Sequence, residues 1–188
     1  MRALVHAFLL FLLVATMIGS PARSEGVTEL IGDGPEGYRQ TDFRAPVPDT
    51  LQGAVVVDAA AAHMLWEKAE AIFIDVLPRP PQPQNLKDPA KWKAPKRLNI
   101  KGSVWLPNVG FGTLHPTIDD YYRRNLEKLT RGDRTKTLVI YCQAQCWMSW
   151  NAAKRAMAYG YSEIVWFPGG TDEWEKAGLP LEEKLPQE

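Results

Sequence analysis

The chain has 188 residues, 45% of them hydrophobic, and its 22 basic and 22 acidic side chains give a formal net charge of zero. This length suits one domain with a single buried core, and the balanced charge argues against a nucleic-acid or anionic-membrane partner. Two cysteines are too few for a disulfide framework, so they form a local pair or carry chemistry.

Residues 1–22 have the pattern of a cleavable signal peptide. Arg2 gives a positive start, residues 4–18 are apolar, and residues 20–22 fit a small-residue cleavage site. Cleavage after Ala22 would export the protein without a membrane span, because the apolar run is short for one. An uncleaved anchor is the alternative.

Residues 23–53 are rich in Gly, Pro, Asp and Thr and show no sustained period. They predict an extended arm laid over the domain, with Tyr38 and Phe43 as anchors, or else a disordered tail.

The pattern becomes regular from residue 54. Residues 54–57 predict a short buried strand, and Asp58 is well placed as the N-cap of a helix over residues 59–70. Residues 71–76 predict a second apolar strand whose end carries Asp75. This carboxylate either orients a group of a nearby loop or caps the following turn.

Residues 78–99 form a Pro-rich insertion that excludes a regular element. It is either a functional flap near the strand ends or a surface insertion.

The remaining predicted elements alternate between strands and helices. They are a short strand within residues 101–108, a helix over residues 117–130 capped by Thr117 or Asp119, a strand over residues 138–141, a helix from about Ser149, a strand over residues 162–167, a helix over residues 171–177 and a tail over residues 183–188.

Strands that alternate with helices predict an α/β fold. We expect a single domain over residues 54–182, with a doubly wound parallel sheet of about five strands and helices on both faces.

Both cysteines fall in one predicted strand-to-helix loop. Cys142 stands where the apolar strand ends, and Cys146 precedes the next helix. Ligands bind at the carboxyl ends of strands in such sheets, and a helix N-terminus favours a thiolate. Cysteines four apart on a helix are also within the span of a disulfide. The pair is therefore either reactive or a structural disulfide.

The other residues of the predicted site line the same loop: Gln143, Ala144, Gln145, Trp147, Met148 and Ser149. Trp147, Met148 and Trp150 form either an apolar lip for a partner or part of the core. Ser149 is expected to cap the helix N-terminus. We expect no metal site, because the histidines lack a second ligand at a metal spacing.

The order of several short motifs resembles the rhodanese-like domain over roughly residues 50–182. The motifs are Asp75-Val76, Ile100-Lys101-Gly102-Ser103, Ile140-Tyr141-Cys142, Ala152-Ala153, Gly169-Gly170 and Gly178-Leu179-Pro180. More narrowly, the Cys142…Cys146-Trp147 loop resembles a secreted rhodanese-like group named for its Cys-Cys-Trp motif and associated with pyrroloquinoline-quinone-dependent catabolism.

The resemblance implies that Cys142 accepts a sulfane sulfur as a persulfide and that the loop amides hold it like an anion-binding nest. The loop departs from active thiosulfate-using rhodaneses because residues 143–149 contain no Arg or Lys, and Leu77 replaces a usual Arg. Thiosulfate would then lack charge partners unless one of four cations reaches the loop: Arg79, Lys96, Arg97 or Lys101.

Two functions follow as expectations. The first is a periplasmic thiol enzyme, a sulfurtransferase-like persulfide carrier or a dithiol–disulfide oxidoreductase, in which Cys142 attacks and Cys146 resolves. The second is a non-catalytic accessory module for a periplasmic quinoprotein dehydrogenase system, which would dock through the Trp-rich loop and the Pro-rich segment. We expect no bound cofactor beyond a transient persulfide on Cys142, and partners that are small sulfur donors and acceptors or a periplasmic protein.

Overall fold

A computed structural model of the chain describes residues 37–93 and 95–188. The predicted signal peptide and the start of the arm, residues 1–36, lie outside the described residues. Within the described part, no helix combines the length and the apolar character needed to cross a bilayer.

The described chain forms seven strands, four α-helices and a short 3₁₀ helix over Pro89–Lys91. The strands are β1 (Val55–Val56), β2 (Ile72–Asp75), β3 (Arg97–Ile100), β4 (Val104–Trp105), β5 (Leu138–Tyr141), β6 (Ile164–Phe167) and β7 (Leu181–Lys184). The helices are α1 (Ala59–Glu67), α2 (Pro116–Thr130), α3 (Trp147–Ala158) and α4 (Gly170–Lys176).

The main sheet has five strands in the order β1-β6-β5-β2-β4, and every pair in it is parallel. β5 lies at the centre, with all four of its residues buried. Ile140 is in register with Ile74 of β2 and Trp166 of β6. The predicted α/β fold with about five parallel strands is confirmed.

Two apolar clusters cover the two faces of this sheet. Side chains of α2 and α3, such as Leu126 and Ala153, pack on one face with Ile140. Side chains of α1 and α4, such as Ala62 and Trp174, pack on the other. Alternate side chains of β5 point to opposite faces of the sheet, and helices cover both faces.

A second sheet was not predicted. β3 and β7 pair in antiparallel register, from Arg97 opposite Lys184 to Ile100 opposite Leu181. β3 occupies the end of the predicted Pro-rich insertion, and β7 runs into the predicted tail. Both strands are short and partly polar, so no local pattern marks them, and only their pairing defines them.

Of the three predicted helix N-caps, one is confirmed and two are wrong. The Asp58 cap of α1 is confirmed, because its Oδ1 accepts the amide of Ala61 at 2.8 Å. The Thr117 or Asp119 cap of α2 is wrong: His115 holds that position, and its Nδ1 accepts the amide of Thr117 at 3.4 Å. The α3 helix begins before Ser149, as described below.

Candidate functional site

The two cysteines lie at the carboxyl end of the central strand. Cys142 follows the last residue of β5, and Cys146 is the N-cap residue of α3. Between them, Gln143 forms a single antiparallel bridge to the start of α4, and Gln145 turns the chain with a left-handed φ of 53°. We call residues 142–146 the cysteine loop.

Both cysteines are free and buried. The Cys142 Sγ lies 3.5 Å from the carbonyl oxygen of Gln143 and 3.6 Å from that of Cys146. A carbonyl oxygen can only accept a hydrogen bond, so the Cys142 thiol must keep its proton to make either contact. The geometry favours a protonated Cys142.

The acidities of the two thiols differ in the same sense. Burial raises the pKa of the Cys142 thiol well above its ordinary value. The pKa of Cys146 is lowered to about 7, chiefly by the hydrogen bond from the Cys142 thiol, with a further contribution from Arg44. Cys146 is therefore the thiol that ionises near neutral pH. The resemblance implies instead that Cys142 is the reactive cysteine.

Arg44 is a site residue that was not predicted from the sequence. It belongs to the arm, 100 residues before Ala144, and its Nη1 donates to the Ala144 carbonyl at 2.8 Å. It is exposed, and no pattern around it distinguishes it from any other surface arginine. Only the folded path of the arm brings it to the cysteine loop.

Asp75, at the end of β2, is fully buried beside the loop. Its Oδ1 accepts the amide of Leu77 at 2.8 Å, which confirms the turn-capping interpretation. Its Oδ2 accepts Nε of Arg97 at 2.6 Å and Nδ2 of Asn99 at 2.8 Å. Burial raises the pKa of this carboxyl to about 6, although the Arg97 charge opposes the rise.

The carbonyl of Cys142 is held by a converging set of donors. It accepts Nη2 of Arg97 at 3.0 Å, the amide of Thr171 at 3.1 Å and the Thr171 hydroxyl at 3.2 Å. A Cβ on Gly170, whose φ is 51°, would lie 2.6 Å from the same oxygen. Of the four cations named from the sequence, Arg97 therefore reaches the loop. Its guanidinium is already hydrogen-bonded to the backbone carbonyl of Cys142 and to Asp75.

Two backbone amides at the site, one in the cysteine loop and one just after it, are already occupied. The amide of Ala144 donates to Oδ2 of Asp172 at 3.2 Å, and the amide of Trp147 donates to the carbonyl of Phe43 at 2.9 Å. These two groups are not available to an anion, and the Asp172 carboxylate adds negative charge. The expected anion-binding nest is wrong for these two positions.

Ser149 is not the helix cap, because α3 begins at Trp147 after Cys146. The Ser149 hydroxyl instead donates to the Cys146 carbonyl at 3.2 Å and accepts Nε1 of Trp166 at 3.0 Å. It therefore ties the first turn of α3 to β6.

The tryptophans of α3 pack beneath the arm. The indole Nε1 of Trp147 donates to the carbonyl of Pro46 at 3.0 Å, and that of Trp150 to the carbonyl of Thr50 at 3.4 Å. Trp147 and Trp150 are each 5% exposed, and Met148 is 1% exposed. These side chains belong to the core and do not form an exposed lip.

Further contacts hold the arm. Both the amide and the carbonyl of Arg39 bond the side chain of Asn151, at 3.0 and 2.9 Å. The predicted anchors are confirmed: Tyr38 is buried, and Phe43 packs edge-on against Phe111 with ring centroids 5.5 Å apart. Residues 37–50 thus cover the N-terminal half of α3.

A cleft of about 460 Å³ opens beside the cysteine loop. Its lining combines the arm, the loop, the end of β1 and the start of α4: Val47, Pro48, Asp49, Val56, Val57, Asp58, Ala144, Gln145, Pro168, Gly169 and Glu173. Three of these residues are acidic, so the cleft disfavours a dianion such as thiosulfate.

Comparison with known proteins agrees with this architecture. The sequence model of the family described as rhodanese-like domain matches residues 58–177. A search of curated proteins finds none with significant similarity to the chain.

Two of the similar solved structures are bacterial sulfurtransferases. The polysulfide-sulfur transferase homodimer from Wolinella succinogenes is 22% identical, with a TM-score of 0.43 over 69% of this chain and 79% of that one. The thiosulfate sulfurtransferase from Pseudomonas aeruginosa is 14% identical, with a TM-score of 0.47 over 71% of this chain and 21% of that one. Because the family model matches more than half of the chain, the protein belongs to the rhodanese-like domain family.

Proposed function

We propose that the cysteine loop accepts a sulfane sulfur as a cysteine persulfide and passes it to an acceptor. The observation that carries this proposal is the pair of free cysteines at the carboxyl end of β5 in a rhodanese-like domain. Because the pKa of Cys146 is about 7, a large fraction of this thiol is ionised at neutral pH. The thiolate is the nucleophilic form of cysteine.

The transfer balances without an outside oxidant. A thiolate of the pair attacks the terminal sulfur of a persulfide or polysulfide donor. The cysteine S–S bond forms while the donor S–S bond breaks, and the shortened donor leaves with the electron pair. An acceptor thiolate then attacks the outer sulfur of the cysteine persulfide and restores the free thiolate.

The contact between the two cysteines supports a second route, dithiol–disulfide chemistry. The other cysteine attacks the carbon-bound sulfur of the persulfide, hydrosulfide leaves with the electron pair, and a Cys142–Cys146 disulfide remains. Two electrons have passed from the thiols to the sulfane sulfur. An external dithiol must therefore reduce the disulfide before the next cycle.

The surroundings of the loop favour a donor of low charge. Asp172 occupies the amide of Ala144, and Arg97 is already paired with Asp75. A dianion would meet these carboxylates and the acidic cleft, whereas a persulfide or polysulfide chain presents a neutral or singly charged end. We therefore propose persulfides and polysulfides, not thiosulfate, as donors.

We further propose that the protein works in the periplasm, on the basis of the signal-peptide pattern in residues 1–22. The link to quinoprotein-dependent catabolism rests on the resemblance of the Cys142…Cys146-Trp147 loop to the Cys-Cys-Trp group. In that setting the partner is a small sulfur donor or acceptor, or a component of a quinoprotein dehydrogenase system.

The alternative of a non-catalytic accessory module would use Trp147 and Trp150 as a docking face. Both indoles donate to arm carbonyls, so a partner could reach them only after the arm had moved away. A docking module also has no need of a thiol that ionises near pH 7. The persulfide function is therefore the one that the site supports better.

The test is incubation of the reduced protein with sodium tetrasulfide, followed by alkylation and mass spectrometry. Persulfide chemistry predicts an added sulfur atom on one cysteine of the loop, which a thiol acceptor then removes. C142S/C146S, which lacks both thiols, is the control and should gain no sulfur. Wild-type protein that also gains none, while remaining folded, would rule the function out.

A further inference from the structure

We propose that Cys146, and not Cys142, is the thiolate that takes the sulfur, and that Arg44 of the arm is the cation that stabilises it. This inference rests on the proposed persulfide chemistry and assigns the order of the two cysteines and their charge partner.

The environment of the Cys142 sulfur favours a protonated thiol. The sulfur lies 3.5 and 3.6 Å from the carbonyl oxygens of Gln143 and Cys146. The Ser149 hydroxyl is a further polar neighbour that lowers the Cys142 pKa, but burial outweighs it. The single proton of the thiol can be donated to one of these oxygens, whereas a thiolate at this position would face their lone pairs and could donate no hydrogen bond. The buried Asp75 carboxylate adds further negative charge. Cys142 is built to remain a thiol and to donate.

The position of Cys146 favours a thiolate. It is the N-cap residue of α3, a helix of 12 residues, and the backbone amide of Met148 in the first turn contributes to lowering the pKa of its thiol. The helix dipole places a partial positive charge at this end of α3, which stabilises a thiolate, although the amide of Trp147 is already paired with the Phe43 carbonyl. The thiol of Cys142 is beside it and can donate to the same sulfur. All the neighbours named here favour negative charge at Cys146.

Arg44 is anchored beside the cysteine loop. Its Nη1 donates to the carbonyl of Ala144 at 2.8 Å, and the carbonyl of its neighbour Phe43 accepts the amide of Trp147 at 2.9 Å. These contacts flank Cys146 on both sides in the sequence. The guanidinium is thereby held against the cysteine loop. Residues 143–149, which cover most of this loop and the start of α3, contain no Lys or Arg.

The transfer step keeps the balance given above. The Cys146 thiolate attacks the terminal sulfur of the donor, a Cys146 persulfide forms, and the shortened donor leaves with the electron pair. Arg44 touches no bond that breaks, so it acts as a positioning residue through the charge on Cys146. Because Arg44 is exposed, its effect should weaken with ionic strength.

The experiment compares four proteins: wild type, R44Q, R44K and R124Q. Arg124 is an exposed arginine of α2 that lies beside Tyr121 and Gln187, so R124Q removes the same charge elsewhere. Each protein reacts briefly with limiting sodium tetrasulfide at pH 7. Alkylation and tandem mass spectrometry then show which cysteine carries the first added sulfur, and how fast.

We expect the first sulfur on Cys146 in wild type and R124Q at equal rates. If R44Q raises the Cys146 pKa from about 7 by about one unit, its thiolate fraction and rate at pH 7 fall about fivefold, and the pH profile shifts upward. R44K should recover part of the rate, because it restores the charge but not the planar guanidinium.

Two results would overturn the inference while the proposed function stands: a first sulfur on Cys142, or an R44Q rate and pH profile equal to those of R124Q. If R44Q does not fold, the wild type decides. Its Cys146 rate should fall when the salt rises from about 0.1 M to about 1 M, and a constant rate would contradict the role of Arg44. Absence of added sulfur on either wild-type cysteine would instead remove the proposed function.

Discussion

The guanidinium of Arg97 lies 2.6 Å from the buried carboxylate of Asp75, and the same guanidinium reaches the carbonyl of Cys142 at 3.0 Å. One side chain thus connects the end of β2 with the beginning of the cysteine loop. The charge pair and the loop geometry depend on each other.

Replacing Arg97 by Met is expected to destabilise the fold by about 3–5 kcal/mol, because it leaves the Asp75 carboxylate buried without its counter-charge. Urea unfolding measures this loss. K96Q, next to it, breaks an exposed pair with Glu183 and should leave the unfolding midpoint almost unchanged. Equal effects of the two substitutions would contradict a structural role for the buried pair.

The same carboxyl predicts a pH dependence of stability. Burial raises the Asp75 pKa from 3.8 to about 6. Between these values the unfolded chain has released the proton while the folded protein keeps it. Stability contributed by this group is therefore fully present below pH 3.8 and falls as the pH rises through about 6, by up to about 3 kcal/mol.

Unfolding measured at several pH values between 4 and 7 tests this pH dependence. The D75N variant should lose this part of the slope, whereas D88N, at an exposed position, should keep it. A D75N slope equal to that of the wild type would show that another group titrates in this range.

Gly170 and Gly160 offer a matched pair of substitutions. Both have positive φ, at 51° and 93°, but only Gly170 has no room for a Cβ, which would lie 2.6 Å from the Cys142 carbonyl oxygen. G160A should cost about 1 kcal/mol from backbone strain alone. G170A should cost about 1–3 kcal/mol more and should slow the reaction of the cysteine loop.

Thermal unfolding and the rate of thiol alkylation measure the two effects of the glycine substitutions. If G170A and G160A behave alike in both, the close contact between the start of α4 and the Cys142 carbonyl does not shape the loop.

The arm gives a fourth prediction. W147F removes the indole N–H that donates to the carbonyl of Pro46 at 3.0 Å, and should cost about 1 kcal/mol. Amide hydrogen exchange over residues 37–50 should become faster, because the arm loses one of its bonds to α3. W66F, on α1, removes a similar bond from the indole of Trp66 to the carbonyl of Lys101 at 2.7 Å. This substitution should leave exchange in the arm unchanged. Unchanged arm exchange in W147F would mean that this bond does not hold the arm.

Much of the fold could be predicted locally. The continuous apolar residues of β2, β5 and β6 mark buried parallel strands, and Asp58 marks the start of α1. β3 and β7 could not be predicted in this way. Their residues carry no clear alternation, and they become strands because each supplies hydrogen bonds to the other across more than 80 residues of chain.

The sequence by itself determined the family, the parallel sheet and the place of the two cysteines, because these depend on short motifs and on local hydrophobic pattern. Only the tertiary structure decided which thiol is acidic and which cation serves it. Burial and the docking of Arg44 depend on contacts between residues far apart in the sequence. The carbonyls of Gln143 and Cys146 are close to Cys142 in the sequence, but they face its sulfur only because of the folded path of the loop. A thiol's pKa is determined by the groups that surround it in the folded protein, whether they are near or far in the sequence.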